Sequence, residues 1–220
     1  MIDAIEQRTA DWFSARCGRV TASRVADVLA RTKTGVSASR ANYLAQLVCE
    51  RLTGAVEQGF TSTAMQHGID NESAARDLYS FEAGVDVVEV GFVLHPTIEM
   101  AGASPDGLVG NDGLVEFKAP NTATHIETLT TERVPAKYVS QMQWQMACTG
   151  RAFCDFASFD PRLPAELRLF VKRVERDDAL IAEMEREVIA FLAEVDATVA
   201  KLQAKITPPE SAGLSIVFAV

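Results

Sequence analysis

Asp106, Glu116 and Lys118 are the residues whose types and spacing could do chemistry in this chain. They lie in Ala103-Ser104-Pro105-Asp106-Gly107-Leu108 and Gly113-Leu114-Val115-Glu116-Phe117-Lys118, with Gly110-Asn111-Asp112-Gly113 as punctuation. The pattern predicts two short strands joined by a turn. Residues two apart on a strand share a face, so Glu116 and Lys118 project together while Phe117 points the other way. Asp106, across the turn, can bring its carboxylate beside Glu116. Two acidic oxygens and an ammonium in one small volume suit divalent-metal phosphodiester hydrolysis, with hard oxygen ligands for magnesium and a lysine for the attacking water. Charges within an apolar run (Leu114, Val115, Phe117) are costly unless paired or bound to metal. Ordinary surface hairpins also carry such charges, and the hairpin alone leaves the matter open.

Further blocks narrow it. Trp12 with Arg16, Val20-Thr21-Ala22-Ser23, His67-Gly68 through Glu72 to Ala75-Arg76, Ser104 to Pro120, Gln141-Met142-Gln143 and Phe159-Asp160-Pro161-Arg162 occur in order between about Trp12 and Arg176. In that order and spacing the chain resembles the phage lambda-type 5′→3′ exonucleases, the YqaJ-like recombination nucleases of the PD-(D/E)xK superfamily. The resemblance implies a restriction-endonuclease-like core and two Mg²⁺ ions, for which Mn²⁺ can substitute. Asp106, Glu116 and the Phe117 carbonyl would be metal ligands, and Lys118 would position or deprotonate the water. Glu72 matches the family's helix glutamate. Gln143 is chosen over Gln141 for the family glutamine, since residues two apart on a helix point in different directions. Arg16, Ser23 and Ser104 match a pocket for a terminal 5′-phosphate, where a guanidinium and hydroxyls suit phosphate oxygens. Met65 aligns with an apolar wedge at the terminal base pair, and Lys33 with a basic loop residue that tracks the DNA. Trp12 is read as packing, Arg76 and Arg162 as ion-pair partners, and the three histidines as carrying no chemistry.

Those residues need a scaffold, and periodicity supplies its outline. Helices are predicted from a Ser37 or Ser39 cap to Gly54, over about 70–81, near 122–130 and 136–148, and over 177–204, where Leu180, Met184, Val188, Phe191, Val195 and Val199 recur at helical spacing. Thr21-Ala22-Ser23-Arg24 reads as a helix entry, and Arg31-Thr32-Lys33-Thr34-Gly35 as a loop. Strands are expected at about 86–94, around Ala101, and at 107–109, 114–118, 152–159 and 167–174. The outcome is an α/β (α+β) fold with a central mixed sheet flanked by helices. Residues 1–205 form one nuclease domain, and residues 206–220, with Pro208-Pro209, form a tail of unknown role.

At 220 residues, 48% of them hydrophobic, the chain can bury one core. It lacks a signal-like start and any apolar run of bilayer length, which predicts a cytoplasmic protein. Cys17, Cys49, Cys148 and Cys154 are dispersed, so free thiols are expected rather than a disulfide framework or a clustered iron–sulfur site. The net charge of −9 is awkward for a DNA enzyme, but it is uneven. Residues 1–60 carry eight Lys/Arg against six Asp/Glu, and residues 61–220 carry thirteen against twenty-four. A basic N-terminal surface can meet phosphates while the acidic remainder faces solvent.

The leading expectation is a metal-dependent exonuclease that degrades one strand of linear duplex DNA and leaves 3′ overhangs for recombination. Its expected partners are duplex ends, a single-strand annealing protein and copies of itself, most simply in a ring of three. An endonuclease on the same core and a catalytically idle DNA-binding module are the alternatives. The Arg16/Ser23/Ser104 set argues against the first, and an intact Asp106, Glu116 and Lys118 against the second.

Overall fold

A computed structural model describes residues 6–33, 35–56 and 63–206, leaving out the side chains of residues 64 and 65. The chain opens with α1 (Ala10–Arg16), β1 (Val20–Thr21), a 3₁₀ turn (Ala22–Arg24), α2 (Val25–Leu29), the hairpin β2 (Arg31–Thr32) and β3 (Gly35–Val36), and α3 (Ala38–Thr53). Next come α4 (Thr63–Ala83), β4 (Val87–Val88), β5 (Val93–Leu94), β6 (Ala101–Ala103), β7 (Gly107–Val109) and β8 (Gly113–Lys118). It closes with α5 (Thr122–Thr131), α6 (Ala136–Thr149), β9 (Phe153–Phe159), β10 (Leu169–Glu175) and α7 (Asp178–Ile206).

A five-stranded mixed sheet, ordered β10-β9-β8-β7-β4, carries the centre of the molecule. Only its β8–β9 pair is parallel, with Glu116 opposite Phe156 and Lys118 opposite Ser158. Alternation along β8 sorts its side chains. Val115 and Phe117 pack with Ala75 and Tyr79 of α4, whereas Leu114 packs with Met142 and Met146 of α6. The sheet is thus apolar on both faces and covered by a helix on each. A second core joins α2, α3, α6 and α7 around Tyr43, Leu47, Trp144 and Phe191, all nearly inaccessible. It rests on a three-stranded sheet ordered β1-β6-β5.

Local chemistry explains several boundaries. Ser37 caps α3 through the Arg40 N–H at 3.2 Å, and Gly54 ends it in the left-handed region (φ 68°). Asn121 caps α5 by accepting from the Thr124 N–H at 2.9 Å. Arg40 of α3 is tied to Glu194 of α7 by two bonds, of 2.6 and 2.9 Å.

Three expectations are corrected. The strand expected over 86–94 is two strands in different sheets, because Val90, Gly91 and Phe92 are buried where the chain passes between them. α4 starts at Thr63, not near Asp70; its first turns, around Gln66, His67 and Gly68, are polar and show no apolar stripe. The basic loop at Arg31–Gly35 is a short hairpin. Among the described residues no helix is long and apolar enough to cross a membrane. All four cysteines are free, Cys148 and Cys154 being buried. Apart from Ile206, the C-terminal tail lies outside the described residues.

Gly102, in the middle strand of the smaller sheet, leaves no room for a side chain. A Cβ there would stand 2.4 Å from the Phe92 ring and 2.6 Å from the Val93 carbonyl oxygen. Gly102→Ala is expected to destabilise the fold by about 1–3 kcal/mol, the usual cost of overpacking. A urea midpoint equal to the parent's would contradict that close approach.

Candidate active site

The turn from β6 into β7 and the end of β8 bring the acidic residues together. Asp106 accepts the Phe117 N–H through Oδ2 at 2.8 Å, which places its carboxylate across from Glu116. Glu116 is wholly buried and lies on the α6 side of the sheet. Lys118, on the same face, donates its ammonium to Glu116 Oε1. Gln141 Nε2 donates to the same oxygen, and Gln145 Nε2 to Oε2, each at 2.5 Å. Burial raises the Asp106 pKa well above the carboxylate range, and neighbouring Glu116 adds to this. For Lys118, burial works to lower the pKa, but the Glu116 and Asp106 charges outweigh it and the net shift is upward.

These groups form the floor of an open cleft of about 860 Å³. Its wall includes Glu72 of α4, which pairs with Arg8 at 2.5 Å and with Arg76 at 3.3 Å. At one side Arg16 stacks its guanidinium 4.1 Å over the Trp12 ring. Ser104 accepts from Trp12 Nε1 at 2.9 Å and from Arg16 Nη1 at 3.4 Å. Ser23 is exposed and lines the same cleft. Burial lowers the Arg16 pKa, with Tyr43 and Glu50 opposing it.

Most of the residues expected at the site therefore converge: Asp106, Glu116, Phe117, Lys118, Glu72, Arg16, Ser23 and Ser104 all line one cleft. Gln143 does not. It is buried against the start of α7, donating to the Glu175 carbonyl at 2.8 Å and accepting from the Asp177 N–H at 2.9 Å. Gln141 takes the place at the acidic pair, because residues 141 and 145, one helical turn apart, share the face of α6 turned to β8. That i,i+4 pair was the sequence signal that could have corrected the choice. Lys33 stands exposed on the β2–β3 hairpin and is not among the cleft residues. The Met65 side chain lies outside the described residues.

Two further cleft residues, Gln7 and Tyr138, had no sequence signal. Gln7 Nε2 donates to the Val90 carbonyl (2.8 Å) and the Pro105 carbonyl (2.9 Å). Two ammonium groups approach the Tyr138 ring, Lys118 at 5.2 Å and Lys137 at 4.7 Å from its centre. Trp12, read as packing, is also a donor to Ser104. Arg162 pairs with buried Asp160 and lines the cleft as well. His125 is structural, bonded to Ser158 Oγ at 2.7 Å and the Leu167 carbonyl at 2.9 Å.

Comparison with known proteins gives this geometry a family. Residues 11–152 match the YqaJ-like viral recombinase domain. The chain is similar to an alkaline exonuclease, LHK-Exo, from Laribacter hongkongensis, at 56% identity and a TM-score of 0.84, over 90% of this chain and 98% of that one. A structure of LHK-Exo in complex with dAMP aligns with the same values. A phage-related exonuclease from Haemophilus somnus 129PT, at 16% identity and a TM-score of 0.69, shares the fold over 84% of this chain and 96% of its own. No curated protein matches. With nearly two thirds of its length inside the domain match and a relative more than half identical, the chain belongs to the YqaJ-like viral recombinase family of phage-type exonucleases.

Proposed function

We propose that the protein is a Mg²⁺-dependent 5′→3′ exonuclease that degrades one strand of linear duplex DNA and leaves 3′ single-stranded overhangs for recombination. The observation that carries this reading is the single cleft that holds Asp106, Glu116 and Lys118 on its floor and Arg16, Ser23 and Ser104 on its wall. An endonuclease has no terminal phosphate to hold, so a guanidinium and two hydroxyls beside the acidic pair favour attack from an end.

The donor set fits a hard divalent cation. Asp106 and Glu116 face each other at the base of an open cleft, and the Phe117 carbonyl is the third ligand in this proposal. No group of three or more His, Cys, Asp or Glu side chains is placed for a metal among the described residues. Backbone, water and DNA oxygens would therefore complete the shell. When bound, the metal would polarise the scissile phosphate and acidify a water. Lys118 presents N–H donors beside Glu116, where they orient the attacking water. Gln141 donates to the same Glu116 oxygen, Oε1. Glu72, held by Arg8 and Arg76, keeps a third carboxylate in the wall. Arg16, kept flat on Trp12 and aimed at Ser104, clamps the terminal phosphate.

The proposal includes a homo-oligomer, a ring of three around the duplex, since a chain of net charge −9 attracts a polyanion poorly unless several basic N-terminal faces turn inward. It also includes a cytoplasmic location and a single-strand annealing protein as consumer of the overhang. Lys33 and Met65 remain candidate DNA contacts in this picture.

End-labelled linear and closed circular duplexes, incubated with and without Mg²⁺, test the reaction class. Digestion of the linear form alone, and only with the metal, is expected; nicking of the circle would point to the endonuclease. Linear duplex with a 5′-phosphate should be digested faster than the 5′-hydroxyl form, and Arg16→Ala should erase the difference. Equal rates on both ends in the unaltered protein would remove the phosphate pocket from the reading.

A further inference from the structure

Gln145 stands outside the cleft, yet it reaches the group at the cleft's centre. It is fully buried on α6, and its Nε2 donates to Glu116 Oε2 at 2.5 Å. Its own Oε1 faces the buried Cys154, whose Sγ lies 3.9 Å away and is a weak donor. The acceptor-only carboxylate takes the NH₂ group, and the amide oxygen is left facing the thiol. A carboxylate has about four acceptor positions. On Glu116, Lys118 and Gln141 both bond Oε1, and Gln145 takes one of the two positions on Oε2. One position is left.

We propose that Gln145 is a positioning residue that restricts Glu116 to one-point attachment of a cation and so biases the site toward small octahedral ions and against Ca²⁺. The inference rests on the metal site of the proposed function. Its physical basis is the difference between the two kinds of ion. Mg²⁺ and Mn²⁺ accept single carboxylate oxygens in tight octahedral shells, whereas Ca²⁺ takes six to eight oxygens and often both from one carboxylate. A glutamate with both oxygens fastened by donors cannot swing to give a two-oxygen bite. Gln145 does this without touching the metal or the DNA, through a bond to the ligand.

Calorimetric titration of the metal-free full chain with Mn²⁺ and with Ca²⁺ tests the idea without any turnover. In Gln145→Met, which keeps the volume and loses the donor, Mn²⁺ affinity should fall about tenfold, as for other lost partners of metal ligands. Ca²⁺ affinity should stay level or rise, so the Mn²⁺/Ca²⁺ ratio falls about tenfold. An unchanged ratio, whether both affinities hold or both drop, would overturn the inference and leave Gln145 a packing residue. Circular dichroism must show that the variant is folded. If it is not, Gln145→Asn repeats the titration with an amide one methylene too short to reach Glu116, and failure of both variants to fold would assign Gln145 to stability alone. Absence of Mn²⁺ binding by the unaltered chain is a different failure, since it removes the metal reading itself.

Discussion

Asp106→Asn is expected to lower nucleotide release from a 5′-phosphorylated linear duplex by about 10³-fold or more, while raising the melting temperature of the metal-free protein. The two effects have one cause. Burial and the neighbouring Glu116 make the charged form of Asp106 costly in the folded state. An isosteric amide removes that cost, can still accept the Phe117 N–H, and loses the charge that a cation and the transition state require. The sign with pH follows from linkage. Because the folded pKa is raised, the folded state holds a proton that the unfolded chain has already lost once pH exceeds about 4. Stability from this group therefore declines as pH rises through the window between the two values, and stays low above it. The melting-temperature gap between Asp106→Asn and the parent should widen as the pH is raised above about 4 and close when Mg²⁺ is added. A variant that is inactive but less stable than the parent at pH 8 would show that the carboxylate is not held under this strain.

Lys118→Met should be the most damaging single change at the site, for the fold as well as for activity. Glu116 is 0% exposed, and Lys118 is the cation bonded to it. Removing one partner of a buried ion pair leaves an uncompensated charge, at a cost of about 3–5 kcal/mol. The depth of Glu116 makes this a change to the fold as well as to the chemistry. Glu116→Gln added to Lys118→Met should recover more than half of the lost stability, because a neutral amide can pair with the amides of Gln141 and Gln145. Neither variant should cleave DNA. Urea unfolding of the parent, the two single variants and the double variant gives the coupling directly. Additive effects would mean that the pair does not interact in the folded state.

The sequence carried the hairpin well. Alternation placed Glu116 and Lys118 on one face, and the Ser-Pro-Asp-Gly turn brought Asp106 to them. The caps Ser37 and Gly54 and the heptad-like run of α7 were equally local signals, so those elements stand close to where periodicity puts them. What was hidden depends on contacts distant along the chain. The choice between Gln141 and Gln143 turns on which face of α6 meets β8, and both helix faces are apolar enough to be buried, so spacing alone could not decide. The split of 86–94 between two sheets is a matter of which neighbours accept Val87 and Val93. Arg8 and Gln7 carry no motif, and their place at the cleft follows from the docking of the N-terminal segment. Lys33 shows the opposite case: a plausible residue type that is exposed on its hairpin and not among the residues lining the cleft.

Gln7 bonds the carbonyls of Val90 and Pro105, in the β4–β5 and β6–β7 connections that carry the chain from one sheet to the other and back. Ser104 and Asp106 flank the second crossing. On the proposed reading, one holds the end of a strand and the other helps cut it, separated by two residues, or at most about 7 Å of backbone. On that reading a single amide would steady the short span between grip and scission, and the size of the released piece would be set by the polypeptide rather than by the DNA.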